Sequence, residues 1–285
     1  MKPKSSRLMF ISAMAIFGTL APFVRNIGVT SAELSLYRAL LAACMIGLFL
    51  LITGRKLPVR NLKKELLLLM CSGASMAVNW ILLFEAYKYT TVAIATLSYY
   101  FAPVLVTVAS AVLFREKLTK KQIFCFIMST LGIIIITGVT NLGGGSNNGL
   151  GILFGLGAAV LYALCILLNK GIKGVGGIER TFLQFVAAVA VMIPYVALSG
   201  GVTVGNMDMT GWICLLVVGL VHTGITYCMY FTAVEHIPGQ AVAILSYIDP
   251  LVAVIIGVVI LGEPLSVSQM IGGAMILGFT LWNEL

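Results

Sequence analysis

The stretch AVAILSYIDPLVAVIIGVVILGEPLSVSQ, residues 241–269, sets the fold class of this chain. Between 240 and 262 the only ionisable side chain besides Tyr247 is Asp249, and a run of this length fits a bilayer-crossing helix of ~20 residues. A carboxylate at the centre of such a helix costs roughly 2.5 to 3.5 kcal/mol, so it indicates a cavity or a polar partner. Pro250 follows at once and removes a helical hydrogen-bond donor, which predicts a hinge.

The composition of the whole chain also indicates a membrane protein. Of its 285 residues 60% are hydrophobic and 10% charged, and the mean hydropathy is +1.07, which no water-soluble domain shows. The six cysteines lie inside apolar runs without CxxC or metal-binding spacing, so we predict no disulfide framework, no metal site and no cofactor. The net charge of +8 does not indicate nucleic acid, because the basic residues lie in short loops between apolar runs.

Apolar segments separated by polar residues predict an all-α polytopic membrane protein with ten transmembrane helices. The predicted helices are 8–27, 34–53, 65–87, 92–114, 121–139, 149–169, 179–198, 210–233, 240–261 and 268–283. The first run lacks a convincing cleavage site, so we interpret it as a retained helix rather than a signal peptide. The polar segment NLGGGSNNG at 141–149 has the composition of a flexible linker and separates a first repeat, 1–140, from a second, 150–285.

The distribution of Lys and Arg predicts the orientation of these helices. Fifteen of the 18 basic residues lie on one side, and the other side has Arg25, Arg38 and Lys88. Cytoplasmic loops carry the excess of basic residues, so both termini are predicted to face the cytoplasm from the cell membrane.

Five helices per half would make the second half enter the membrane from the opposite side, as an inverted repeat around a central cavity. An offset of 147 residues aligns Tyr100 with Tyr247 and Pro103 with Pro250. The same offset aligns Phe84 with Phe231, Ala86 with Ala233, Glu116 with Glu263, Leu118 with Leu265 and Gln122 with Gln269. Asp249 aligns with Ala102 and therefore breaks the symmetry, which suits a ligand site better than a scaffold.

The two E-x-L-[ST]-x-x-Q pieces predict helix starts rather than chemistry. Thr119 with Gln122, and Ser266 with Gln269, have the spacing of a capping box, and each piece begins with a Glu just ahead of the helix. We favour this scaffold role for the two glutamates over contact with substrate.

Two further patterns predict packing and surface pairing. Gly151, Gly155 and Ala159 place small residues four apart, which favours close packing between membrane helices. Glu85 and Lys88 are three apart at a helix end, which predicts an ion pair at the rim.

The fourth and ninth helical regions read TLSYYFAPVLVTVASAVLFREKLTKKQ and ILSYIDPLVAVIIGVVILGEPLSVSQMIGGAMILG. Each has a central Pro and a terminal Glu followed by a Gly-rich or Ile-rich helix. In these pieces, and in its ten-helix plan, the chain resembles the EamA-type members of the drug/metabolite transporter superfamily over essentially its entire length. The resemblance implies a cavity that opens alternately to the two sides, with the fifth and tenth helices peripheral.

The resemblance is specific for transport but not for substrate, since the family handles amino acids, nucleosides, polyamines and assorted amphiphiles. We therefore expect a secondary active transporter, not an enzyme, which exports small polar or amphiphilic metabolites such as amino acids or amines by alternating access. Coupling to protons is one option. A uniporter or channel-like facilitator and a non-transporting scaffold or receptor are the alternatives. The expected partners are a small molecule, protons and the lipid bilayer, and the sequence leaves the oligomeric state open, with a monomer compatible.

Asp249 is the first candidate for both substrate binding and coupling. Ionised, it would bind a cationic substrate, and protonated it would carry a proton; a neutral packing role is the alternative. Aromatic and polar side chains predicted near the same depth would line the cavity and offer cation–π contacts: Asn79, Trp80, Tyr99, Tyr100, Tyr227, Tyr230 and Tyr247. Adjacent side chains diverge around a helix, so Tyr99 and Tyr100 should not face one point, and about half of the set should be ordinary packing.

Two other polar residues and two prolines complete the candidates. His222 in an apolar helix is either a proton relay or a satisfied core residue. Arg38 either pairs with Glu33, binds a substrate carboxylate or has a structural role, which we favour. Pro103 and Pro250 are the predicted hinges. The chain has no P-loop, HExxH, second intramembrane Asp or G-x-S-G, which disfavours ATP-driven pumps and membrane proteases.

Overall fold

The computed structural model describes residues 3–55, 57, 59–114, 118–140, 148–175, 177–198, 202–234, 236–237, 242 and 245–285. These residues form helices joined by short turns, and none of them forms a strand. The helices are α1 (Pro3–Gly18), α2 (Leu20–Arg25), α3 (Ser31–Thr53), α4 (Val59–Tyr89), α5 (Val92–Tyr99), α6 (Ala102–Phe114), α7 (Lys120–Thr140), α8 (Asn148–Gly171), α9 (Gly177–Leu198), α10 (Met209–Leu216), α11 (Thr226–Val234), α12 (Ile248–Val259) and α13 (Val267–Glu284). A π-helix, here called the π segment (Val217–Ile225), joins α10 to α11, and one 3₁₀ turn covers Val204–Asn206.

Seven stretches of the described chain are long and apolar enough to cross a membrane, and one shorter apolar helix accompanies them. The seven are Lys4–Arg25, Ser31–Thr53, Glu65–Tyr89, Val92–Leu113, Asn148–Gly171, Gly177–Leu198 and Met209–Val234, and the shorter helix is Ile248–Val259. The protein is therefore an all-helical multi-pass membrane protein. A count of ten transmembrane helices stays a prediction. Glu116 and most of the predicted linker, 141–147, lie outside the described residues.

The described helices pack in a small set of pairs around one main hydrophobic cluster and three smaller ones. α4 packs on α8 and α9, α3 on α9 and the π segment, α1 on α11 and α12, α5 on α8 and α12, and α7 on α13. The main hydrophobic cluster joins residues of α2, α3, α4, α5, α8, α9, α10 and the π segment. Halves of the chain therefore interleave rather than lie side by side.

Glycines set the closest approaches between these pairs. Gly132 of α7 and Gly272 of α13 face each other so closely that a Cβ on either would lie 2.7 or 2.6 Å from the other's carbonyl oxygen. Gly151 and Gly155 of α8 pack in the same way on Thr90 and Ser98, where a Cβ would lie 2.6 and 2.9 Å from their Cβ atoms. The predicted close-packing face of α8 is confirmed, and small residues permit it because they let the backbones approach.

The predicted capping boxes are confirmed at the starts of α7 and α13. Thr119 and Ser266 accept hydrogen bonds from the backbone N–H groups of Gln122 and Gln269, both 3.2 Å long. The glutamine side chains accept in return from the backbone N–H groups of the capping residues at 2.8 Å. Glu263 instead accepts from the N–H of Val92 at 2.7 Å, so it binds the start of α5 and not the start of its own following helix.

Polar contacts tie α3 to the region of α9 at both ends. At one end Glu33 accepts hydrogen bonds from the backbone N–H and the hydroxyl of Thr203, both 2.5 Å long. At the other end Arg55 pairs with Glu179 at 3.5 Å. The rim pair predicted between Glu85 and Lys88 is also present at 2.8 Å.

Candidate functional site

Three apolar spans are interrupted, and each interruption lies about four residues before a proline. α1 ends at Gly18 ahead of Pro22, α5 ends at Tyr99 ahead of Pro103, and a turn at Tyr247 precedes Pro250. A proline has no N–H for the carbonyl four residues earlier, so the helix is most easily broken there. Pro103 and Pro250 lie in the first turns of α6 and α12, and their role as hinges stays a prediction. Pro194 lies inside α9 without interrupting it.

The three interruptions meet inside the bundle. A Cβ on Gly18 would lie 2.6 Å from the carbonyl oxygen of Asp249 and 2.6 Å from Cβ of Val252, so the break in the first span packs directly on the start of α12. From the break after α5, the Tyr100 hydroxyl donates a 2.6 Å hydrogen bond to Oδ2 of Asp249. Interrupted helices around a common point are typical of membrane transport sites, because the freed backbone groups are tolerated only where protein or cavity water satisfies them.

Asp249 is partly exposed inside this junction. Among the described residues, Tyr100 is its one hydrogen-bond donor, and it bonds Oδ2. The other oxygen, Oδ1, is not one of the fully buried polar atoms that lack a hydrogen-bond partner. No described cation lies within ion-pair distance, although Arg38 is close enough to interact with it electrostatically. Because no described donor bonds to Oδ1, this oxygen can accept a hydrogen bond from a ligand.

Tyr100 is the tyrosine that contacts the carboxylate, and other tyrosine rings extend from it: Tyr99 and Tyr247 are partly exposed and Tyr162 is exposed. Tyr230 instead contacts Phe10 and Phe231. The Tyr99 ring meets Tyr100 edge to face at 5.9 Å and Tyr162 at 5.4 Å, and Tyr100 lies 6.5 Å from Tyr247. Tyr100 bonds Asp249 whereas Tyr99 packs on Tyr162, and that the two do not face one ligand stays a prediction. Tyr162 of α8 was missed, since nothing in its apolar surroundings distinguishes it from a packing residue.

Arg38 of α3 lies deep in the bundle with 3% of its surface exposed. Its Nε donates a 2.7 Å hydrogen bond to Thr223, and its guanidinium carbon lies 4.4 Å from the ring centroid of Trp80 and 5.6 Å from that of Phe84. The suggested pairing with Glu33 is wrong, because Glu33 binds Thr203 instead. Arg38 is therefore a charge of the protein interior and not of an outer loop, where the orientation count had placed it.

The partner of Arg38 lies on the π segment. The hydroxyls of Thr223 and Thr226 donate to the carbonyls five residues earlier, Val218 at 2.8 Å and Val221 at 2.7 Å. Single π turns in apolar helices often accompany functional sites. In this case the wider turn leaves the Thr223 oxygen free to accept from Arg38.

The remaining candidates contact residues other than Asp249. Asn79 is buried and donates a 2.5 Å hydrogen bond to the carbonyl of Ala158, so it joins α4 to α8. Trp80 is buried between Arg38 and Phe185, whose ring centroid is 5.5 Å away.

Tyr227 and His222 are also placed by neighbours other than Asp249. Tyr227 contacts the rings of Phe17 and Phe185 edge to face at 5.2 and 5.3 Å. His222 Nε2 lies 3.0 Å from the Thr19 hydroxyl, which itself donates to Ile16, and His222 Nδ1 lies 3.4 Å from the carbonyl oxygen of Val217. It forms no hydrogen bond or ion pair with Asp249, and the satisfied-core interpretation describes its contacts.

An ion pair closes the helix ends beside this junction. Arg25 at the end of α2 pairs with Glu263 at 2.6 Å and donates to the carbonyls of Tyr87 and Thr90, each at 3.3 Å. Since Glu263 also holds Val92, the pair joins the ends of three spans. A polar cleft of about 560 Å³ lies at this end, outside the junction, and includes Arg25 and Glu263 in its lining.

The fold and the junction define a multi-pass membrane protein whose interrupted helices place a carboxylate inside the bundle. A family model described as the EamA-like transporter family matches the chain twice, at residues 4–138 and 149–283. The chain therefore belongs to the EamA-like transporter family, which is part of the drug/metabolite transporter superfamily.

Relatives and a solved structure agree with this assignment. The uncharacterized transporter YxxF of Bacillus subtilis is 30% identical over 281 residues, covering 96% of this chain and 88% of that protein. An uncharacterized transporter of Archaeoglobus fulgidus is 28% identical over 279 residues, covering 96% and 95%. One crystal structure matches with a TM-score of 0.65 at 19% identity, covering 97% of this chain and 96% of that chain, which supports the fold alone.

Proposed function

We propose that this protein is a secondary active transporter that exports small polar or amphiphilic metabolites, such as amino acids or amines, by alternating access, with Asp249 as the substrate and proton site. The observation that carries the proposal is the accessible Asp249 carboxylate at the meeting point of three interrupted spans, with a single hydroxyl donor from Tyr100. Helix breaks of this kind supply the flexible points that a rocking motion requires.

The architecture in this proposal is ten helices arranged as two inverted repeats, 1–140 and 150–285, joined by 141–149. The packing pairs support it, because the alignment at an offset of 147 residues maps contacts of one half onto the other. The pair α4 with α8 corresponds to α11 with α1, the pair α4 with α9 to the π segment with α3, and α6 with α8 to α12 with α1. The pairs α3 with α9 and α7 with α13 map onto themselves.

Alternating access needs one end of the cavity to close while the other opens. The Arg25–Glu263 pair is suited to closing one end, because it crosses between the spans that meet at Asp249. By the distribution of Lys and Arg, this end faces outward and both termini face the cytoplasm, in the cell membrane. His222 stays a candidate for coupling through Thr19 and the break after α1.

The experiment compares Asp249→Asn with Asp208→Asn in proteoliposomes. Asn is close in size to Asp but carries no charge, and Asp208 is the chain's other aspartate, which caps α10 by accepting from Gly211 at 2.8 Å. Asn caps helices as well as Asp does, so Asp208→Asn should transport like the wild type. Asp249→Asn should fold but lose accumulation of amino acids or amines driven by a pH gradient.

The same assay separates the alternatives. Wild-type accumulation and pH dependence in Asp249→Asn, at equal reconstituted protein, would contradict the proposal. Saturation and counterflow in the wild type are expected for alternating access, whereas a channel-like facilitator shows neither. The export direction is read from the sidedness of the pH gradient that drives accumulation.

A further inference from the structure

Arg38 is a buried cation without an anionic partner among the residues that the structure describes. Only 3% of its surface is exposed, yet no described carboxylate lies within ion-pair distance of its guanidinium. Glu33, one turn earlier on α3, is satisfied by Thr203 and Thr30. Burying a guanidinium in a membrane span carries a large desolvation cost, which an ordinary packing role does not offset.

The protein holds one edge of the guanidinium and leaves the other edge free. Nε is fixed by Thr223, and the plane lies against Trp80 and near Phe84. The two terminal nitrogens donate to no described acceptor. Neither of them is one of the fully buried polar atoms that lack a hydrogen-bond partner. Five N–H groups in a rigid fork allow Arg to bind a carboxylate through two parallel hydrogen bonds, and the free edge offers such a pair of donors.

Ring contacts connect Arg38 with the junction at Asp249. Trp80, which lies against Arg38, is 5.5 Å from Phe185, and Tyr227 lies 5.3 Å from Phe185 and 5.2 Å from Phe17, the residue before the Gly18 that packs on Asp249. Arg38 and Asp249 do not form an ion pair with each other. Two opposite charges that do not pair with each other are complementary to a molecule that carries both charges. An amine without an acid group would leave Arg38 unpaired in the loaded site.

We propose that Arg38 is the carboxylate-binding residue of the transport site, so that the substrate is a zwitterion whose carboxylate binds Arg38 and whose ammonium group binds Asp249. The inference rests on the proposed transport function and narrows its substrate class from amines and amino acids to compounds that carry both groups. Thr223 is a positioning residue, because it fixes Nε and thereby turns the free edge of Arg38 to the ligand.

The test measures ligand-induced thermal stabilisation of the purified full chain in detergent. The probes are the twenty common amino acids and, for each one that binds, its carboxamide and the amine left by decarboxylation. Sodium chloride against sodium gluconate is a separate arm, since an inorganic anion would satisfy the same guanidinium. Wild-type protein should bind the amino acid roughly 10- to 100-fold more tightly than either analogue, as expected for losing charge-assisted hydrogen bonds.

The variants are Arg38→Gln, Arg38→Lys and Thr223→Val, with Lys88→Gln as a control that removes an exposed cation. Arg38→Gln should abolish the preference for the acid over the amine, and Arg38→Lys should retain only part of it, because Lys has no planar fork. Thr223→Val should reduce the preference without changing binding of the amine. Lys88→Gln should keep the full preference.

Several results would overturn the inference. The first is that the wild type binds the amine or the carboxamide as tightly as the amino acid, and the second is that Arg38→Gln still prefers the acid. The third is that chloride competes with the ligand in a way that depends on Arg38, and the fourth is that no zwitterion binds. If Arg38→Gln does not fold, the analogue comparison on the wild type and the Arg38→Lys variant still decides. Amine transport that requires Asp249 would leave the transport function standing and refute only the role of Arg38, whereas unchanged transport in Asp249→Asn would refute the transport site itself.

Discussion

Tyr100 and Asp249 join the two halves of the chain by a hydrogen bond. The hydroxyl of Tyr100 donates to Oδ2 at 2.6 Å and so fixes the orientation of the carboxylate, leaving Oδ1 for a ligand. The neighbouring Tyr99 lies at the same break but its hydroxyl has no hydrogen bond to a described residue. Comparing Tyr100 with Tyr99 therefore separates the effect of a hydroxyl bonded to the carboxylate from the effect of an aromatic ring beside it.

Tyr100→Phe should weaken substrate binding by roughly tenfold, because it removes one hydrogen bond to a charged group and retains the ring. Tyr99→Phe should change binding less than threefold, since it removes no bond to Asp249. Initial rates in proteoliposomes at a range of substrate concentrations give KM and maximal rate for both variants. Equal losses in the two variants would mean that the Tyr100 hydroxyl has no special role.

Residues differ in how much of their role the sequence makes visible. Asp249 could be predicted, because one carboxylate in a long apolar run has few explanations. Arg38 was a candidate, but its partner was not, because Thr223 is 185 residues away from it in sequence. Tyr162 and the bonded state of Asn79 depend on which face of a helix meets which neighbour, and a run that is apolar all round does not specify that face.

At the scale of elements, the breaks ahead of Pro103 and Pro250 follow from the sequence, because a proline has the same effect on any helix. The π segment does not follow from it, since Val217–Ile225 contains no residue that forbids an α-helix. Its geometry depends on packing: Gly219 and Gly224 lie five residues apart and both press on α3, where a Cβ would lie 2.7 Å from Cβ of Leu41 or of Met45.

Gly219→Ala should destabilise the protein by about 1 to 3 kcal/mol through overpacking against Leu41, and should reduce transport by displacing Thr223 from Arg38. Thermal unfolding in detergent and transport in liposomes measure the two effects. Gly278→Ala on α13 is the control, because its added Cβ meets nothing within 4 Å and alanine favours a helix over glycine by roughly 1 kcal/mol.

A double variant shows whether the clash is the cause. Leu41→Ala in the Gly219→Ala background removes the side chain that the new methyl group meets, so part of the lost stability and transport should return. Additive losses in the double variant, or a Gly219→Ala protein as stable as Gly278→Ala, would contradict the assignment of this glycine to the π segment's contact with α3.

At the scale of the molecule, the class of protein was predictable and the arrangement was only partly so. Composition and run length alone indicate a multi-pass helical protein, since no other structure satisfies the backbone of such apolar runs in lipid. The cross-connection of the Arg25–Glu263 pair was not visible, because both residues look like ordinary loop charges and their meeting depends on how the spans are packed.

The orientation of the halves can be tested with single cysteines in a cysteine-free background. Lys88 and Lys120 are both exposed, and the Lys and Arg distribution places Lys88 outside and Lys120 in the cytoplasm. In intact cells a membrane-impermeant thiol reagent should label Lys88→Cys, and it should label Lys120→Cys only after the membrane is opened. Asn148→Cys, at the start of α8, should behave like Lys88→Cys, because an odd number of spans in the first half returns the chain to the outer side. Labelling of Asn148→Cys only from the cytoplasm would require an even number of spans before α8. The two halves would then insert in the same direction, and the matched packing pairs could not arise from an inverted repeat.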